Sequence, residues 1–466
     1  MNVLVVSAYE LGHQPLSVAG AAAAIRAAGH GVRCLDVAVE PLSADDVDWA
    51  ERIALSVPMH TAMRLALRVA ARVRERRPGL PLCFFGLYAG AAGAATITSP
   101  DDAVIAGEVE PALVAWASGG DPGPAVQLGR VQARVPDRSL LPDLDRYTRL
   151  AVDGEERIVG SVAASRGCSH RCRHCPVPVV YDGRVRRVDE DAVLADVDQL
   201  VAAGAQHLSF ADPDFLNAPH HARRVVDAVH SHHPHLTFDA TVKVEHLLRH
   251  RGLLPALAEA GCLFVVSAFE SVDDAVLRLL AKGHTAADMS EAVRLLRAHG
   301  MEIRPSWLPF TPWTTGEALV ALVDFVIAHD LVANVDPVQY AVRLLLPRGS
   351  LLLSEPAMVP HLGRFDPERL GWTWAHPDPD IDHLQADVAA LVESRVGDDP
   401  ERTFEQIEAL VRSAVPGAAG GAGMAGRPRH GVVSTGPPGR RPHLTEPWFC
   451  CAEPTDAQLA PLAPLS

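Results

Sequence analysis

The chain has 466 residues, 48% apolar and 21% charged, the composition of a globular protein with two or three domains. Asp and Glu outnumber Lys and Arg by 57 to 42, a formal charge of −15 that disfavours RNA or DNA partners, because such binding draws on clustered cations. No run of about 18 apolar residues occurs, and the opening MNVLVVSAYELG lacks the features of a signal peptide, so the expectation is a cytoplasmic protein without a membrane partner.

Short apolar runs alternate with helical runs over the first 118 residues. Residues 2–8, 31–39, 53–57, 80–86 and 103–106 read as strands, and 16–28, 61–75 and 110–117 as helices. This predicts a doubly wound, Rossmann-like parallel sheet over 1–118, with a ligand crevice beyond the strand ends where strand order reverses. The segments LGHQPLSVAGAAAAIRAAGHGVRCLDV and AVIAGEVEPAL hold a proline-bearing loop, an alanine-rich helix ending at Gly-His and a later Gly-Glu pair. In these the region resembles the cobalamin-binding-like domain at the front of many radical S-adenosylmethionine (SAM) enzymes. The D-x-H-x-x-G motif that brings histidine to cobalt is absent, His13 standing in another context. Cobalamin held through corrin contacts and a purely structural domain both remain open. Residues 119–150, rich in Gly, Pro and Asp, read as a linker.

The run SRGCSHRCRHCP follows an apolar stretch at 158–164 and spaces Cys168, Cys172 and Cys175 as C-x3-C-x2-C. Three thiolates on one short loop suit an iron–sulfur cluster, and three ligands for four irons leave one iron open to an exogenous ligand. A Cys3His zinc site using His170 or His174 is the competing reading, although zinc motifs usually split into two separated ligand pairs. The spacing is similar to that of the radical SAM superfamily. That resemblance implies a [4Fe-4S] cluster on these cysteines, SAM on the open iron, and one-electron cleavage to methionine and a 5'-deoxyadenosyl radical. The residue before the third cysteine, usually aromatic in that superfamily, is His174.

Further strands are expected at 158–164, 207–211, 237–242, 263–269, 302–308 and 338–345, and helices at 190–203, 222–232, 254–260, 289–299 and 316–329. Six strand–helix units over 151–350 match the partial (β/α)6 barrel of the superfamily, where chemistry gathers at the carboxyl ends of the strands. Residues 351–413 read as a helical extension. In SFADPDF the resemblance implies Asp212 as a partner of the SAM amino group, in place of the Gly-Gly-Glu motif this chain lacks; a solvated turn aspartate is the alternative. The run SAFESVDDAVLRLLAKGH resembles the family pattern G-x-E-S-G-S with L-x-x-x-x-K-G-H, which implies Glu270 beside the SAM ribose or amino group. Lys282 and His284 read as helix-terminal caps, with reach into the pocket as the alternative for both. Arg304 and Arg343 are candidate partners for the SAM carboxylate, with a structural ion pair as the alternative for each. Trp307, Phe310 and Trp313 either line a substrate pocket or pack beneath the barrel rim.

The tail, 414–466, is rich in Gly, Pro and Arg to 441, where poor order is expected, and then reads HLTEPWFCCAEPT. Trp448 and Phe449 beside the vicinal pair Cys450 and Cys451 read as a docking segment. Adjacent cysteines suit soft-metal binding or thiol exchange better than a mutual disulfide. This ending resembles the tail of the CUAEP/CCAEP-tail radical SAM proteins, some of which carry selenocysteine where Cys451 stands. That resemblance implies a reactive position and a tail folding back to the barrel mouth, with Cys450 and Cys451 as candidate catalytic residues; a surface metal-trafficking dithiol is the alternative.

The expectation is an α/β protein: a Rossmann-like front domain, a partial barrel and a partly disordered tail. Its resemblances imply a radical SAM enzyme acting on a small molecule or peptide, supplied by an electron donor such as flavodoxin or ferredoxin. Its cofactors would be the [4Fe-4S] cluster and SAM. Cobalamin, if bound, would make methyl transfer the leading reaction. A soft-metal-binding or redox-sensing module without radical chemistry is the other reading.

Overall fold

The computed structural model describes residues 1–91, 93, 99–415 and 441–446. The apolar strands Asn2–Ser7 (β1), Gly31–Asp36 (β2), Arg52–Ser56 (β3), Leu82–Phe85 (β4), Ala103–Gly107 (β5) and Val126–Gln127 (β6) form one parallel sheet in the order β2-β1-β3-β4-β5-β6. Strands β1, β3 and β4 are buried almost from end to end, as a sheet covered by helices on both faces requires. Strand order reverses between β1 and β3, so the crevice lies among the loops that leave their carboxyl ends. The helix Ala44–Trp49 was not among the expected elements; a capping box between Ser43 and Asp46 starts it.

The second sheet begins with Arg149–Val152 (β7) and Glu155–Val162 (β8), followed by the small antiparallel pair Ser165–Gly167 (β9) and Val185–Arg187 (β10). His207–Phe210 (β11), Thr237–Thr241 (β12), Cys262–Glu270 (β13) and Glu302–Trp307 (β14) then add in parallel to β8. A hairpin of Leu362–Asp366 (β15) and Gly371–Trp374 (β16) follows, and His443–Leu444 (β17) completes a sheet of order β14-β13-β12-β11-β8-β7-β17. This is the curled half barrel of the expected fold class, extended at one edge by the antiparallel strands β7 and β17.

The sixth expected strand differs. Residues Pro337–Ala341 form a 3-10 turn, and the remainder contributes a single bridge from Arg343 to Phe310. A Pro at the start sets a turn rather than a ladder, since it removes a backbone donor. Helices cover the outside; Ala286–Ala298, capped by Thr285 and Asp288, buries Met289, Ala292, Val293 and Leu296 at helical spacing. Inside, Trp307 meets Phe269 edge to face at 5.4 Å between ring centroids.

The two sheets are tied together by buried polar contacts. Arg138 forks onto Asp196 at 3.0 and 2.9 Å and also reaches Gln14 and the Ser161 carbonyl. His60 bonds the Arg369 carbonyl at 2.7 Å, and Leu370 of the β15–β16 turn is buried in the front domain's core. Among the described residues no helix is long and apolar enough to cross a membrane.

Candidate active site

The cysteine loop leaves the carboxyl end of β8 through a turn that only glycine fits. Gly167 has φ 74°, and an added Cβ would fall 2.3 Å from the Arg184 carbonyl and 2.6 Å from the Tyr181 ring. Cys168, Cys172 and Cys175 follow, ending against the helix Val177–Tyr181. This helix packs on the front domain: Val177, Val180 and Tyr181 cluster with Ala106 of β5 and with Cys168, while the Tyr181 hydroxyl donates to Glu108 at 3.0 Å.

Three other segments hold the loop. Asn217 Oδ1 accepts from the Ser169 amide at 3.1 Å and its hydroxyl at 2.7 Å. The Arg173 amide bonds the Leu280 carbonyl at 2.9 Å, and its guanidinium pairs with Glu355 at 3.1 Å. Burial raises the Cys168 thiol and pushes Cys175 up to about 12. Buried neutral thiols turn into thiolates once a metal cation lies beside them. Three soft donors on one short loop therefore fit an iron–sulfur cluster better than a hard ion. The other described cysteines, Cys34, Cys83 and Cys262, belong to strands and to apolar cores.

Glu270 closes β13 opposite this loop. Its φ of 67° and the Ser271 amide bonding back to the Phe269 carbonyl at 2.9 Å form a tight, strained turn. The carboxylate, 5% exposed as a residue, receives Lys282 Nζ at 3.2 Å and lies 3.0 Å from His174 Nε2. Burial pushes its pKa up, but Lys282 and then His174 outweigh that and hold it at about 2. Burial depresses Lys282, and Glu270 more than restores it, so its net shift is upward.

Lys282 thus corrects the expectation of a helix cap. The cap is backbone only, the Lys282 amide bonding the Leu277 carbonyl at 3.0 Å past Ala281 at φ 55°, and the side chain turns into the site. His284 likewise is buried, within 3.3 Å of the Phe269 carbonyl.

His174, Glu270, Trp307, Leu308 and Val342 line a cavity of about 20 Å³ together with Tyr88, which comes from the loop after β4 of the front domain. Two of the lining rings, His174 at Nδ1 and Trp307 at Nε1, carry buried nitrogens with no hydrogen-bond partner. Tyr88 had no local signal in the sequence; only the docking of the two sheets brings it here.

The remaining expected residues are engaged as follows. Asp212 at the end of β11 accepts from the Ala164 amide at 2.9 Å and the Ser165 hydroxyl at 2.5 Å, and burial pushes its pKa up to about 7. It ties the start of the cysteine loop. Arg304 makes a bidentate pair with Asp336 at 2.9 Å and reaches the Pro442 carbonyl at 3.5 Å. Arg343 pairs with Asp382 at 2.6 Å and stacks 3.6 Å over the Trp374 ring. Phe310 belongs to the barrel core, and Trp313 donates to the Ala357 carbonyl at 3.0 Å. Cys450 and Cys451 lie outside the described residues, as do Trp448 and Phe449.

Over 208 residues, 42% of each chain, the protein is 24% identical to the tRNA-2-methylthio-N(6)-dimethylallyladenosine synthase of Pseudoalteromonas atlantica. Over 292 residues it is 22% identical to the hopanoid C-2 methylase of Rhodopseudomonas palustris, covering 58% of this chain and 52% of the methylase. The chain thus spans about half or less of these curated relatives. The structure of the radical SAM methyltransferase TsrM from Kitasatospora setae, with cobalamin and a [4Fe-4S] cluster bound, superposes with a TM-score of 0.60 at 16% identity, covering 89% of this chain and 99% of TsrM. At that identity the likeness is one of fold. The Radical SAM superfamily profile matches residues 162–313, from the end of β8 past β14, so that this stretch carries a radical SAM domain.

Proposed function

We propose that this protein is a cobalamin-dependent radical SAM methyltransferase acting on a small molecule or peptide. The observation that carries the reading is Tyr88: a residue at the ligand edge of the front sheet walls the same cavity as Glu270 and His174 of the barrel. The crevice where a doubly wound sheet takes its ligand therefore opens toward the cysteine loop. The hopanoid methylase and TsrM, both methyl-transferring by name, add support.

When bound, the cluster supplies the electron that cleaves SAM. The chain's own residues then bind and orient. Cys168, Cys172 and Cys175 would hold the cluster. Glu270, ionised across the working pH range, offers a fixed carboxylate to the SAM amino group or ribose. Lys282 keeps donors beyond its bond to Glu270 and lies within electrostatic reach of Cys172 and Cys175, which makes it a better candidate for the SAM carboxylate than Arg304 and Arg343, held by Asp336 and Asp382. Asp212 acts by holding Ala164 and Ser165 rather than by touching SAM. Trp307, Leu308, Val342 and Leu344 give the cavity an apolar wall.

The tail assists in this reading. Thr445 bonds the Arg149 carbonyl at 2.8 Å, and Glu446 accepts from the Tyr9 hydroxyl at 2.9 Å, in the loop that leaves β1 at the crevice. Cys450 is then within about 14 Å of chain from that anchor.

Anaerobic reconstitution tests the proposal. Iron–sulfur absorption that vanishes in the Cys168→Ala/Cys172→Ala/Cys175→Ala variant, a corrinoid spectrum in the purified protein and SAM turnover under reductant are the expected results. Retained iron in the triple variant overturns the ligand assignment. An intact cluster that never consumes SAM favours the metal-binding or sensing module instead. Cys451→Ser should keep its iron and lose product; unchanged turnover makes the pair peripheral.

A further inference from the structure

Apart from the cavity, three side chains from three strand ends converge. His170 stands in the loop between Cys168 and Cys172, Asp214 opens the turn after β11, and His246 lies on the short helix after β12. One donor atom from each lies within 4.8 Å of the other two. Asp214 is 0% exposed and His246 4%. Asp214 Oδ1 accepts from the Leu216 amide at 3.2 Å. Its Oδ2 has no hydrogen bond: it lies 2.7 Å from His246 Nδ1, in a geometry that makes none, and that nitrogen is likewise without a partner. Contact without a hydrogen bond leaves this buried carboxylate oxygen only partly compensated. The Lys243 ammonium is 3.5 Å from Glu245 and pairs there.

We propose that His170, Asp214 and His246 bind one divalent transition metal ion of the zinc class, separate from the cluster, clamping the cysteine loop to the ends of β11 and β12. Two imidazoles and a carboxylate are a donor set for zinc, cobalt or ferrous iron, whereas calcium and magnesium take oxygen. Ligand atoms around tetrahedral zinc stand about 3.3 Å apart, so side-chain rotations of about an ångström complete the site. A fourth position falls to water or to Glu245, whose Oε2 is 3.6 Å from His170 Nδ1. The competing arrangement, a hydrogen-bonded chain Asp214–His246–His170, has a sound link at 3.0 Å between the two Nε2 atoms but lacks its first link.

The test uses the full chain with its cluster reconstituted, stripped of loose metal by mild chelation and titrated anaerobically with zinc, while iron is measured in parallel. One zinc per chain, with iron unchanged, is expected. Asp214→Asn and His246→Gln should each weaken zinc at least tenfold with iron content and far-UV dichroism preserved. His170→Ala serves as a second probe should either buried variant fail to fold. Binding that persists in the Asp214→Asn/His246→Gln double variant, zinc that displaces iron, or no zinc in the native chain each overturns the site. SAM turnover is a separate readout, so failure here leaves the proposed function standing.

Discussion

Lys282 Nζ donates to Glu270 Oε1 at 3.2 Å, and both residues are almost wholly buried, at 3% and 5% exposure. Removing one partner leaves the other charge without compensation in a low dielectric. Lys282→Met is therefore expected to destabilise the protein by about 3–5 kcal/mol, and the double variant Glu270→Gln/Lys282→Met to recover most of that. Urea unfolding of the two proteins checks it; equal losses would mean that the pair is not coupled.

Asn217 takes two hydrogen bonds from Ser169, next to Cys168, the first of the proposed cluster ligands. Asn217→Ala frees the start of the loop and leaves a Ser169 amide unpaired. Iron should leave this variant several-fold faster under a chelator, with secondary structure retained. A release rate equal to that of the native protein would remove Asn217 from the positioning of the loop.

Phe269 is fully buried and meets both Trp307 and Phe325 edge to face. Phe269→Ala opens a cavity at the centre of the barrel and should cost about 3–5 kcal/mol in unfolding free energy. A loss under about 1 kcal/mol would indicate that the neighbours collapse into the space.

Glu10 is a half-buried residue whose carboxyl closes the first turn of the helix Leu16–Ala27, accepting from the Leu16 amide at 3.0 Å and from Ser17. Burial is the main cause that raises its pKa to about 7. The folded state thus keeps a proton that the unfolded chain sheds near the ordinary value of about 4.3. Its contribution is fully present below that value and is lost as pH rises through about 7. Glu10→Gln should flatten the fall in melting temperature between about pH 5 and pH 8; an unchanged slope would show that the carboxyl ionises at its usual pH.

The parts of the site that were legible in the sequence are those written locally. Cys168, Cys172 and Cys175 lie in one loop, and Glu270 ends an apolar strand in a recognisable run. Lys282 was misread because its backbone does end a helix; that its side chain turns inward depends on Glu270, twelve residues earlier, being buried beside it. Tyr88 and the zinc-class triad of His170, Asp214 and His246 carry no periodicity or spacing that announces them, since they meet only when separate strand ends gather. The run 338–345 has the apolar, β-branched composition of a strand, yet only Arg343 bridges, to Phe310. In the tail, His443 and Leu444 pair with Ala151 and Leu150, whereas the docking segment expected at Trp448, Phe449, Cys450 and Cys451 lies outside the described residues.

Strand β17 also has a bearing on how the chain is made. Arg149 and Thr445, which it joins, are 296 positions apart. At a synthesis rate of roughly 5–20 residues per second, β7 waits on the order of 15–60 s with an uncovered edge while its partner is still being translated. Exposed edges recruit other strands, so aggregation during expression should be worst in that interval, and slower elongation downstream of β7 should lengthen it.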